Sequence, residues 1–115
     1  MSARAQSVPI DAAQGCAAVF AALGDEMRLS LVARLSEGSP QSISRLAEGS
    51  KLTRQAISKH LAVLQNAGLV SSIRVGRESR YKFEIGPVDG AKSYLDHVSS
   101  QWDQALASLR TFVER

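Results

Sequence analysis

The chain has little sulfur, little histidine and few aromatic rings. A single cysteine, Cys16, excludes an internal disulfide framework. The two histidines, His60 and His97, are far apart in sequence. With one thiol beside them they supply neither a nucleophile–base pair nor a metal triad, and no glycine-rich phosphate loop is present. The chain therefore reads as non-enzymatic and without a cofactor. Six aromatic residues in 115 leave the core to alanine and leucine, which favours helices packed closely together. No apolar run approaches the roughly 18 residues of a membrane span. The N-terminus lacks the pattern of a signal peptide. The expectation is a cytoplasmic protein with no membrane partner. One absence is more specific: no acidic residue occurs between Lys51 and Arg77.

The charge that is present is segregated. The net charge is only +3. The segment from Lys51 to Lys82 nevertheless holds Lys51, Arg54, Lys59, Arg74, Arg77, Arg80 and Lys82 against Glu78 alone, a balance of +6, and the rest of the chain carries −3. A surface divided in this way is suited to a polyanion.

Residues 1–9 are small and polar, end at Pro9 and read as a flexible tail; residues 10–115 read as one domain. Apolar positions at helical spacing place a first helix from Asp11, near its N-cap, to Leu23, with Ala12, Cys16, Val19, Phe20 and Leu23 inward. Asp25 caps a second helix, with Met27, Leu31, Val32 and Leu35 buried, and Ser39-Pro40 marks a turn. Ser42 caps a short third helix and Thr53 a longer fourth, Arg54 to Ala67, closed by Gly68. Two strands within 69–85 flank Val75-Gly76-Arg77-Glu78-Ser79, and a last helix spans 88–113. The expected fold is mainly α with a small β-hairpin, in the order α-α-α-α-β-β-α.

The third and fourth helices, residues 42–67, form a helix-turn-helix candidate. Ile57, Leu61 and Leu64 point to the core. Arg54, Gln55, Ser58 and Lys59 lie on or flank the opposite face beside His60, behind the Thr53 cap. These types suit DNA: arginine bonds guanine edges, glutamine suits adenine, and serine, lysine and histidine can hold phosphate or base. Arg77 at the hairpin tip and Arg80 just beyond it can reach phosphate or a minor groove beside the helix.

The stretch from Val19 to about Ile85 resembles the ArsR family of bacterial winged helix-turn-helix repressors. The matching pieces are Val19-Phe20-Ala21-Ala22-Leu23-Gly24-Asp25 with Arg28, the run from Thr53 to Val70, and Val75-Gly76-Arg77-Glu78-Ser79-Arg80-Tyr81. The resemblance implies a homodimer formed through terminal helices, binding to a double-stranded operator, repression, and release by a signal. It assigns Arg54, Gln55, Ser58, Lys59 and His60 to a recognition helix and Arg77 and Arg80 to a wing.

Ala91, Leu95, Val98, Trp102, Ala105, Leu109 and Phe112 follow a 4-3-4-3 spacing along the last helix, a heptad seam. A helix of that length outreaches so small a domain, so Leu95, Val98, Trp102 and Leu109 are expected at a subunit interface, with Cys16 and Val19 of the first helix alongside. No metal site is expected. The cysteine pair of some family members is missing at Gln41-Ser42-Ile43-Ser44-Arg45. On the last helix, Asp96 and Asp103 share a face that the adjacent His97 leaves by about 100°. This points to the metal-independent members, with an inducer the residues do not identify. Three alternatives remain open: a winged helix that binds protein, a metal-sensing or Cys16-based thiol-sensing repressor, and an activator.

Overall fold

Three of the helix starts are fixed by oxygen-bearing side chains that accept a backbone N–H otherwise left without a partner. The computed structural model of the chain describes residues 10–114, with side chains from residue 15 onward. The expected tail and the inward placement of Ala12 fall outside what is described, and the first helix starts at Ile10, one residue before Asp11. The elements are α1 (Ile10–Leu23), α2 (Glu26–Ser36), β1 (Gln41–Ser42), α3 (Ile43–Ala47), α4 (Arg54–Asn66), β2 (Val70–Val75), β3 (Glu78–Phe83) and α5 (Gly86–Val113). Asp25 accepts from the Arg28 amide, Ser42 from Arg45 and Thr53 from Ala56.

The join between α4 and the hairpin is equally defined. Gly68 has φ +77 and its amide donates to Gln65, while the Leu69 amide donates to Leu64. These two bonds make a Schellman motif, whose left-handed residue favours glycine. The hairpin turns at Gly76-Arg77, with Val75 opposite Glu78. Gly76 has φ +65 and Arg77 does not share the positive φ, the pattern of a type II′ turn.

The expected order gains one element. β1, only two residues long, pairs antiparallel with β3, Gln41 opposite Tyr81 and Ser42 opposite Arg80, so the hairpin is part of a three-stranded sheet ordered β1-β3-β2. The last helix also starts two residues earlier than expected, at Gly86, with Pro87 in its first turn, where a missing N–H costs nothing.

Leu46, Ile57, Leu61, Leu64 and Leu69 form the fully buried centre, where α3, α4 and the start of β2 meet. Cys16 and Val19 are 8% and 4% exposed within the chain itself, and Cys16 Sγ lies 3.8 Å from the Gly90 carbonyl oxygen. Both are therefore largely covered within the chain, Cys16 where α1 meets α5. Periodicity shows that such residues are buried, not by which chain.

Phe20 and Tyr94 continue that contact, ring centroids 6.5 Å apart. Beyond it α5 runs on alone, and every residue from Ser99 to Glu114 is exposed. The radius of gyration is 19.0 Å, against about 13 Å for a compact chain of about this size. Among the described residues, no helix is long and apolar enough to cross a membrane.

Candidate nucleic-acid interface

α4 presents two faces of different chemistry. Its inner face is Ile57, Leu61 and Leu64, all without measurable exposure. Its outer side exposes Arg54, Gln55, Ser58 and Lys59. Thr53 is exposed at the N-terminus, with its hydroxyl oxygen held by the Ala56 amide at 3.1 Å. A helix anchored on one side and carrying cations and an amide on the other can lie in a groove without disturbing the core.

His60 departs from that set. It is half-buried, with Nδ1 3.4 Å from Arg28 Nη1 and 3.9 Å from Asp25 Oδ2. The ring thus faces the start of α2 instead of standing free on the outer side of the helix. The neighbour rather than the angle decides this: Arg54 stands equally far from Ile57 on the other side of the helix and is exposed, whereas His60 meets the start of α2.

The wing carries Arg77 exposed at its tip. Arg80 lies two residues into β3, its Nε donating to Glu78 Oε1 at 2.7 Å. Both side chains are roughly half exposed, so this pair is a weak restraint rather than a lock. Arg80 and Glu78 line a polar groove of about 660 Å³ with Ser42, Ser44, Arg45 and Glu48, between the sheet and α3. Lys82 is similarly near Glu84, at 3.5 Å.

Two arginines that charge counting did not single out as structural hold the module together. Arg34 of α2 donates to the carbonyls of Leu46 and Arg45 at 2.7 and 3.3 Å, closing the C-terminal end of α3. Arg28 donates from Nε and Nη2 to the Ala22 and Ala21 carbonyls at 2.6 and 3.4 Å, closing the end of α1. Beside it, Asp25 is held below the ordinary carboxylate range. The Arg28 amide bond is the main cause, partial burial opposes it, and the charges of Arg28 and His60 add to the lowering.

Along α5, Ala91 is buried and Val98 half-buried, whereas Leu95, Trp102 and Leu109 are exposed. Asp96, His97 and Asp103 lie on the same helix. Among the described residues, no three His, Cys, Asp or Glu side chains come together as a metal cluster.

A helix-turn-helix braced by arginine caps and followed by a β-wing defines a winged helix-turn-helix protein. Residues 23–73 match a helix-turn-helix domain family. The chain is 42% identical over 66 residues to the uncharacterized HTH-type transcriptional regulator YuzN of Bacillus subtilis, spanning 52% of this chain and 72% of that protein. It is 33% identical over 102 residues to the HTH-type transcriptional regulator NmtR of Mycobacterium tuberculosis, spanning 87% and 76%. A solved ArsR-like transcriptional regulator from Rhodococcus sp. RHA1 superposes with a TM-score of 0.82 at 38% identity, covering 90% of this chain and 96% of that one. The chain belongs to the ArsR family of DNA-binding transcriptional regulators.

Proposed function

We propose that this regulator is a homodimeric, metal-independent repressor that reads an inverted-repeat operator with two copies of α4, in the cytoplasm and without catalysis. The observation that carries this reading is the outer side of α4, with Arg54, Gln55, Ser58 and Lys59 exposed and no acid until Glu78. A winged helix that binds protein has no need of such a surface. Thr53 would start the helix at the groove, Arg77 would hold backbone beside it, and Arg80 would join it once turned from Glu78.

The bare half of α5 supports the dimer. Trp102, Leu106, Leu109, Phe112 and Val113 are 58–73% exposed, and Leu95 52%. A monomeric soluble protein rarely leaves so continuous an apolar stripe in water. The heptad spacing of Trp102, Ala105, Leu109 and Phe112 fits a second copy of the same helix, related by a two-fold axis. In this arrangement residues 42–67 read DNA, 69–85 form the wing and 88–113 make the dimer.

Footprinting of a fragment selected by the protein from random duplexes tests the reading. The expected protection is an inverted repeat with half-sites about 10 bp apart on one face. Titrating metal-free protein with zinc, cadmium or arsenite should leave operator affinity unchanged. A stoichiometric metal that weakens binding tenfold overturns the metal-independent part and directs attention to Asp96, His97 and Asp103 of the paired helices.

A further inference from the structure

From the Arg28 geometry we infer that His60 is a positioning residue, and that with Arg28 it sets the angle of α4 relative to the α1–α5 arm. This inference rests on the proposed reading of DNA by α4. One guanidinium serves three acceptors on two elements: the Ala21 and Ala22 carbonyls at the end of α1, and His60 Nδ1 on α4 at 3.4 Å. Arg28 is always a donor, so Nδ1 must accept, which places the ring proton on Nε2. Asp25, whose carboxylate caps α2 on the Arg28 amide, lies 3.9 Å from the same ring nitrogen.

The placement gives these contacts a consequence beyond stability. α1 is the element that packs along the first half of α5, through Cys16 against Gly90 and Phe20 against Tyr94. The end of α1 therefore belongs to the proposed dimer arm, while His60 sits midway along the reading helix. Arg28 is the polar link between them. The apolar contacts around Ile57, Leu61 and Leu64 resist withdrawal of α4, but they are non-directional and leave its rotation softer. A directed hydrogen bond between ring and guanidinium opposes that rotation. His60 thus acts on DNA recognition from the inner side of the helix, without touching DNA.

The test uses the full-length protein and an inverted-repeat duplex that the wild type has selected from a random pool. His60→Leu removes the acceptor and keeps bulk. His60→Asn restores an acceptor near the Nδ1 position. Arg28→Lys keeps the charge but cannot serve both helices. Binding by His60→Leu and Arg28→Lys should be about tenfold weaker, the scale of one lost hydrogen bond, with His60→Asn within about twofold of wild type. The slope of log Kd against log salt should not change for His60→Leu, because no phosphate contact is lost. The double variant should bind no more weakly than the worse single one.

Three results overturn the inference. A salt slope reduced by about one for His60→Leu would put the ring on phosphate. Wild-type affinity for that variant would remove its role altogether. A fall in thermal midpoint that tracks the affinity loss, without rescue by His60→Asn, would make the contact structural only. Gln55→Ala is the control: if it leaves sequence preference intact, the failure lies in the reading of DNA by α4 instead.

Discussion

The stripes of α4 and α5 are both apolar at helical spacing and meet opposite fates. Ile57, Leu61 and Leu64 vanish from the surface, whereas Trp102 and Phe112 are 65% and 72% exposed. The difference is what surrounds them. α4 is enclosed by α1, α2, α3 and β2, but α5 is twice as long as its neighbour α1, 28 residues against 14, and outruns it. An apolar stripe states that something will cover it; the lengths of the neighbouring elements state whether the same chain can.

The strongest way to break that contrast is to charge the bare stripe. Leu95→Asp with Trp102→Glu should leave the protomer folded but monomeric in sedimentation, with operator affinity down about 10²-fold or more as the two half-sites uncouple. A variant that stays dimeric would place the partner elsewhere. Truncating the buried stripe comes next. Leu61→Ala should cost about 2–5 kcal/mol of unfolding free energy in urea. Leu109→Ala, introduced into the monomeric variant, should stay within about 0.5 kcal/mol. Comparable losses at the two sites would erase the distinction.

Smaller effects separate the outer side of α4 from the wing. Gln55→Ala or Arg54→Ala should cost about 1–3 kcal/mol at one base pair and relax preference there. Arg77→Ala should weaken binding to all duplexes and lower the salt slope by about one. Equal loss of specificity from both would refute the division. The smallest effect concerns the cap of α2. Since Asp25 titrates below its ordinary value, its charge stabilises the fold above about pH 4, and that contribution disappears as pH falls through the lowered value. The difference in melting temperature between wild type and Asp25→Asn should therefore shrink on acidification. A difference that grows would reverse the sign.

Local chemistry made most of the architecture legible. Asp25, Ser42 and Thr53 each cap the helix that the residues themselves announce, and Gly68 and Gly76 stand where the backbone needs positive φ. β1 escaped because two residues carry no periodicity; only its partner Tyr81-Arg80 on β3 makes it a strand. His60 reads as one of its basic neighbours, because Arg54 stands at the same angle from Ile57 and only folding brings α2 against the ring. The spacing shows that Cys16 and Val19 are covered but not by what, since a pattern along one helix does not name the surface opposite. The capping work of Arg28 and Arg34 depends on carbonyls brought near by folding, which no spacing rule displays.

The turn from α4 into the wing has a mechanical consequence. With the Gly68 and Leu69 amides both bonded back to the helix and Leu69 fully buried, that link resists displacement. Reading helix and wing are one stiff part. In the proposed dimer on DNA, compliance would then fall to the bending of the duplex and to the seam between protomers.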